Sequence, residues 1–163
     1  MRPVIYQIFT RLYGNKTKNN KPNGTLQENG SAKMNDITAT KLQRISRMGF
    51  THVWFTGLIE HATQTDHTAF GISKDHPAVV KGKAGSPYAI KDYYDIDPDL
   101  AVSVPDRMKE FKALLNRTHK AGLKMVIDFV PNHVARHYHS TGSIPGSATA
   151  GRPRRKRRHH KRV

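Results

Sequence analysis

Two stretches decide the fold of this chain: Tyr88-Ala-Ile-Lys-Asp92-Tyr93, and Met125-Val-Ile-Asp128-Phe-Val-Pro-Asn132-His133 further along. The second is an apolar run that ends in Asp, Asn and His. Such a run is typical of a buried parallel strand that carries polar groups at its carboxyl end. In α/β folds this end of the strands is where ligands bind and chemistry occurs. The sequence therefore predicts a functional site around residues 128–133.

Two further strands are predicted upstream. Residues 4–9 and 50–56 are rich in β-branched and aromatic side chains, and residues 123–130 complete a set of three strands. The second strand holds Trp54, the only tryptophan, which we interpret as core packing in preference to a ligand contact.

Helices are predicted between these strands. Apolar residues recur at helical spacing over residues 37–48, where Asn35 or Asp36 is placed to cap the helix. A second helix is predicted to begin at Ser103, which precedes a proline and an acid, and to end at Gly122. The order β-α-β-α-β predicts an α/β fold with a parallel sheet and right-handed crossovers.

The connection between the second strand and the second helix is long. Residues 57–102 show no convincing regular element, yet their second half is rich in Tyr and Asp. Long connections in a compact domain are uncommon and are often functional, so we expect this one to contribute to the site.

Composition limits the classes of protein to consider. The chain has 163 residues, no cysteine and a formal net charge of +16. Residues 151–163 hold eight of the 28 Lys and Arg residues and no acid, so they supply half of that charge. With no thiol, neither a disulfide framework nor a thiolate zinc site is possible. The sequence shows no membrane-spanning run and no signal-peptide pattern, so we expect a cytoplasmic protein without a membrane partner.

These motifs resemble the α-amylase superfamily of glycoside hydrolases. The resemblance runs from about residue 4 to about residue 140, and it is most specific where Asp-x-x-x-Asn-His follows a strand and lies downstream of Tyr-x-x-x-Asp-Tyr. It implies that residues 1–140 are the N-terminal part of a catalytic (β/α)₈ barrel. Three strands cannot close a barrel of eight, so the resemblance implies a partial barrel.

The resemblance also implies roles for particular residues. Tyr88 resembles the aromatic platform under the sugar at the cleavage subsite, and His133 resembles the histidine that hydrogen-bonds this sugar. Asp92 and Asp128 resemble residues that hold these loops in place. The implied ligand is an α-glucan or a maltooligosaccharide.

Calcium is implied only for a full-length family member. Asn132 resembles a residue that supplies one oxygen to a structural Ca²⁺, but this ion needs about six to eight oxygen ligands. We therefore expect no cofactor for this chain by itself. His137 and His139 flank Tyr138, and we interpret them as solvated histidines in preference to metal ligands.

The catalytic carboxyl groups of the superfamily are missing from the sequence. A retaining glycosidase needs two carboxyl groups about 5 Å apart, and the patterns that carry them in the family do not occur here. We therefore expect no glycosidase activity from this chain alone. The alternative functions are a non-catalytic carbohydrate-binding module that uses Tyr88 and His133, and nucleic-acid binding through the basic C-terminal residues.

The composition changes abruptly near residue 140. Residues 141–163 are rich first in Gly, Ser, Pro and Ala and then in Arg, Lys and His, and we expect a disordered basic tail. Three origins remain open: a genuine polybasic arm, a solvated solubility tail, or out-of-frame translation, which the abrupt change favours.

Overall fold

The fold is given by a computed structural model, which describes residues 2–142. The predicted disorder of the tail lies outside the described residues from residue 143 onward. Among residues 2–142, no helix is both long enough and apolar enough to cross a membrane.

A parallel three-stranded sheet forms the centre of the structure. Its strands are β1 (Ile5–Phe9), β2 (His52–Thr56) and β5 (Lys124–Ile127), with β2 in the middle. The three predicted strands are therefore present and parallel. The third is shorter than predicted and ends at Ile127, so Asp128 is the first residue beyond it.

Three α-helices are present in residues 2–142: α1 (Leu26–Asn29), α2 (Ala39–Arg47) and α3 (Arg107–Lys120). The predicted caps of α2 were wrong. The cap is Thr38, whose side chain accepts a hydrogen bond from the Lys41 amide at 3.4 Å, while Asn35 and Asp36 lie in a preceding 3₁₀ turn. Thr38 satisfies an otherwise unpaired amide of the first helical turn, which is the role of a cap.

The hydrophobic core lies between one face of the sheet and helices α2 and α3. Its central side chains are buried, and they come from the sheet, from the two helices and from the segments that connect them. They include Ile8, Val53 and Phe55 of the sheet, Leu42 and Ile45 of α2, and Leu114 of α3.

The other face of the sheet carries polar and aromatic side chains. Gln7 of β1 lies beside Trp54 of β2 in the parallel register, and its side-chain amide donates to Thr56 Oγ1 at 2.8 Å. Trp54 is only half-buried, on this face and not in the main core. Within the described residues no helix covers this face.

The prediction that residues 57–102 lack regular structure was wrong. They contain β3 (Ile59–His61) and β4 (Ile90–Ile96), which pair as a separate antiparallel ribbon. The pattern was missed because Glu60, Lys91 and Asp92 are all buried. A strand whose polar residues point inward lacks the alternation that marks a strand in a sequence.

Candidate active site

An open cleft of about 710 Å³ lies at the carboxyl ends of β1 and β2. This is the edge of a parallel sheet at which α/β proteins bind ligands. Its walls combine strand-end residues with the loop that precedes β4. The lining residues are Gln7, Phe9, Arg11, Thr56, Lys81, Gly85, Ser86, Pro87 and Tyr88.

Tyr88 lies on the wall of this cleft. Its side chain is 45% exposed, and its backbone amide donates to Ser86 Oγ at 3.3 Å. The hydrogen bond to Ser86 therefore fixes the backbone of Tyr88, while the ring is accessible from solvent. Phe9 and Pro87 add apolar surface beside it.

Arg11 gives the cleft a fixed positive charge. Its guanidinium donates to the carbonyl oxygens of Ala84 and Gly85, at 2.9 and 3.3 Å, and lies 4.8 Å from the centre of the Phe9 ring. These contacts attach the loop before β4 to the segment that follows β1, so Arg11 shapes the cleft as well as lining it.

Asp128 joins the ends of two strands. One carboxylate oxygen accepts from Trp54 Nε1 at 2.5 Å, and the other accepts from the Gly57 amide at 3.1 Å. The carboxylate follows β5, while both donors belong to β2 or the residue just beyond it. These bonds tie the residue that follows β5 to the end of β2.

Asp92 is fully buried and holds the loop that follows β5. Its oxygens accept from the Tyr94 amide at 2.8 Å and from both the amide and the hydroxyl of Thr141 at 2.7 Å. The backbone of the same loop bonds to β4, because the Ala135 amide donates to the Ile90 carbonyl at 2.7 Å.

Asn132 and His133 lie in this loop and are exposed. The Nδ1 atom of His133 lies 2.8 Å from Asn132 Oδ1. His133 is not among the residues that line the cleft with Tyr88. Calcium needs about six to eight oxygen ligands, of which Asn132 can supply at most two, its side-chain and backbone carbonyl oxygens.

A buried set of charged residues beneath the loop was not predicted from the sequence. Lys91 donates to Asp75 Oδ2 at 3.0 Å and lies 4.0 Å from Glu60 Oε1, and all three side chains are about 2% exposed or less. His137 is exposed, as expected of a solvated histidine, although its Nδ1 lies 3.2 Å from Asp75 Oδ1. His139 is half-buried, and its Nε2 lies 3.9 Å from Asp92 Oδ2. The only sequence signal was the density of Asp and Tyr before residue 102.

A buried histidine and aspartate, His67 and Asp99, form a pair just beyond the end of β4. His67 Nε2 lies 2.8 Å from Asp99 Oδ1, and Thr65 donates to the other oxygen at 2.9 Å. Burial by itself raises the pKa of Asp99, but the hydrogen bonds from His67 and Thr65 outweigh it and hold the pKa below its ordinary value. Burial raises the pKa of the neighbouring Asp97.

The lining of the cleft combines an exposed aromatic ring with polar and basic side chains. None of the nine residues that line the cleft, all within residues 2–142, is an Asp or a Glu. Glu110 of α3 lies outside the cleft lining, and its carboxylate accepts hydrogen bonds from the Val102 and Ser103 amides just before that helix. The arrangement can stack and hydrogen-bond a neutral polyol, but the cleft has no pair of carboxyl groups for hydrolysis.

Comparison with known proteins agrees with this reading of the fold. A family model described as "Alpha amylase, catalytic domain" matches residues 7–149. The cyclomaltodextrin glucanotransferase of Geobacillus stearothermophilus is 23% identical over 141 residues, which is 81% of this chain and 18% of that protein. The amino acid transporter heavy chain SLC3A1 of Mus musculus is 28% identical over 131 residues, which is 80% of this chain and 14% of that protein.

This chain is also similar to a solved structure. The noncanonic maltogenic alpha-amylase AmyB from Thermotoga neapolitana superposes with a TM-score of 0.52 at 26% identity, over 83% of this chain and 24% of that one. The chain thus spans less than a fifth of the length of the two curated relatives and about a quarter of this structural neighbour.

We predict that Asp128→Ala destabilises the chain by about 1–3 kcal/mol, because the Trp54 indole and the Gly57 amide both lose their acceptor. Asp128→Asn keeps one acceptor and should cost less. The free energy of unfolding in urea measures the effect, and the fluorescence of the single tryptophan reports it at the site itself. Equal stability of Asp128→Ala and the wild type contradicts the assignment.

We predict that Asp99→Asn destabilises the chain by about 2 kcal/mol at neutral pH, because the buried charge and its bonds from His67 and Thr65 are weakened. Since the folded pKa of Asp99 lies below its unfolded value, this stability is present above about pH 4 and is lost as the pH falls through the folded pKa. The difference between wild type and variant should therefore shrink in acid. Asp106→Asn, at an exposed position, is the control and should show no comparable gap.

Proposed function

Since the chain belongs to the alpha-amylase family, we propose that it forms the glucan-binding N-terminal part of a catalytic domain that acts on α-glucans. The observation that carries the proposal is the open cleft at the carboxyl ends of β1 and β2, with Tyr88 exposed on its wall. Relatives named as a cyclomaltodextrin glucanotransferase and a maltogenic alpha-amylase support a carbohydrate ligand.

The fold supports a position at the start of a (β/α)₈ barrel. The three parallel strands place β2 between β1 and β5, and helices α2 and α3 cover one face only. The uncovered face, with Gln7, Trp54 and Thr56, corresponds to a barrel interior in this proposal.

In this proposal Tyr88 stacks on the apolar face of a glucose ring, and His133 hydrogen-bonds the same sugar. The exposed ring of Tyr88 suits stacking, since an aromatic face matches the C–H face of a pyranose. Binding by both residues requires the loop at residues 128–142 to bring His133 to the cleft. Asp92 and Asp128 support this loop and the strand ends through the bonds described above.

The chain by itself is proposed to bind without hydrolysing. Retaining hydrolysis needs a nucleophile and an acid/base about 5 Å apart, and the cleft lining contains neither. The family also includes a relative named as a transporter heavy chain, so binding and hydrolysis are tested separately. Calcium is proposed only for a longer family member.

Binding is tested by titrating maltoheptaose into the 163-residue chain in a calorimeter. We expect weak, saturable binding that Tyr88→Ala weakens about fivefold, since one stacking contact is worth about 1 kcal/mol. Tyr88→Phe keeps the ring and should retain most of the affinity. Tyr94→Ala removes an exposed tyrosine outside the cleft lining and serves as the matched control. Equal affinity of Tyr88→Ala and Tyr94→Ala contradicts the proposed site.

Hydrolysis is tested on the same preparation by the release of reducing ends from maltoheptaose. We expect the rate to equal that of buffer alone, because no pair of carboxyl groups lines the cleft. A rate above buffer that falls in Tyr88→Ala would show that this chain supplies its own catalytic groups, and the proposal of binding alone would then fail.

A further inference from the structure

A second set of polar groups converges beneath the loop that follows β5. Glu60 of β3, Asp92 of β4 and His139 of the loop each offer one potential ligand atom, and these atoms all lie within 4.8 Å of one another. Glu60 and Asp92 are partners in the β3–β4 ribbon, and the His139 amide donates to the Lys91 carbonyl at 3.0 Å. Backbone pairing of three separate segments therefore places the three side chains together.

Glu60 provides the observation that points to a ligand. The residue is 1% exposed, and neither of its carboxylate oxygens has a hydrogen-bond partner. Leaving such a group buried and unpaired is costly, and more so when it is charged. Asp92 differs, since three protein donors reach its carboxylate.

The nearby lysine does not neutralise this carboxylate. Lys91 Nζ lies 4.0 Å from Glu60 Oε1, beyond hydrogen-bond distance, and is instead bonded to Asp75 and to the Ser73 carbonyl. The Lys91–Asp75 pair has no net charge. Glu60 and Asp92 then leave two negative charges, which a divalent cation balances. Burial raises the pKa of Glu60 and outweighs the positive charges of His139 and Lys91, which lower it.

The histidine is oriented as a ligand. His139 Nδ1 lies 3.5 Å from the carbonyl oxygen of His137, so an Nδ1–H donates there and leaves the lone pair of Nε2 free. That Nε2 atom lies 3.9 Å from Asp92 Oδ2. Metal-bound histidines commonly donate their other ring N–H to a backbone carbonyl in this way.

We propose that Glu60, Asp92 and His139 bind a divalent transition-metal ion, for which Zn²⁺ is the probe. One imidazole nitrogen and two carboxylate oxygens are a ligand set that zinc accepts, and a fourth position remains for water or another donor. Coordination at ordinary zinc distances requires the three atoms to approach one another by roughly 1 Å. His139 is on the surface side of the site and can supply this movement.

The proposed site differs from the calcium expectation at Asn132 and does not depend on glucan binding. It joins the β3–β4 ribbon to the loop at residues 128–142, which carries His133. Metal binding should therefore stabilise the loop on β4 without providing a catalytic group to the cleft.

The test uses the 163-residue chain after treatment with a chelator and titration with ZnCl₂ in a calorimeter. We expect one saturable site, whose affinity falls about 100-fold or more in Glu60→Gln and in His139→Ala. The sequence also contains adjacent histidines at positions 159 and 160. The variant His159→Ala/His160→Ala is the matched control and should retain the site. The visible absorption of bound Co²⁺ provides a second readout of the ligand set.

Any of three results overturns the proposal of a metal site. It fails if wild type shows no saturable binding below about 100 µM, if Glu60→Gln and His139→Ala bind as tightly as wild type, or if binding disappears only in His159→Ala/His160→Ala. Glu60→Gln preserves the shape of the side chain, and its circular dichroism shows whether it folds. If it does not fold, His139→Gln, which changes a partly exposed residue, decides between the two outcomes.

Discussion

The carboxylate of Asp92 is the contact on which the arrangement of this molecule depends. It is fully buried, and it accepts three hydrogen bonds from Tyr94 and Thr141. An ionised carboxylate is buried at acceptable cost only when donors replace the water it has lost. The loop after β5 provides two of these donors, so the loop must lie against β4. The positions of the β3–β4 ribbon, of His139 and of the exposed His133 all follow from this requirement.

The sequence predicted the parts of the fold that depend on burying apolar surface. Strands β1, β2 and β5 and helices α2 and α3 have the apolar runs or helical spacing that hydrophobic burial imposes. Strands β3 and β4 were missed because Glu60, Lys91 and Asp92 are buried, and because Lys91 and Asp92 are stabilised by partners far away in the chain. A binary pattern of apolar and polar residues cannot represent this, since it assigns each polar residue to the surface. Thr38 replaced the predicted caps for a related reason: three candidates for the cap, Asn35, Asp36 and Thr38, lie within four residues, and tertiary packing selects among them.

For the candidate site, too, the sequence predicted some features and missed others. The family motifs identified Tyr88, Asp92, Asp128 and His133, and the first of these lies on the cleft wall while the two acids make supporting bonds. The motifs could not show where His133 would lie, because its loop is positioned by bonds such as that from the Ala135 amide to the Ile90 carbonyl. Such bonds join backbone atoms and leave no trace in the choice of side chain. The calcium expectation likewise depended on oxygens that a sequence motif cannot count.

Half of the acids of this chain are buried in the connection between β2 and α3, and none lines the cleft. Six of the 12 Asp and Glu residues are buried, and all six lie between residues 60 and 99. All but Glu60 are hydrogen-bonded to protein groups that hold the connection between β2 and α3 together. A carboxylate committed to buried donors is not available to attack a sugar, because it would have to give up those bonds first. The cleft meanwhile presents Arg11, Lys81 and the ring of Tyr88. These groups can orient a polyol, whereas cleavage of its glycosidic bond requires acids at the cleft surface. The buried acids of the described residues therefore act through the structure around the cleft, whose lining includes none of them.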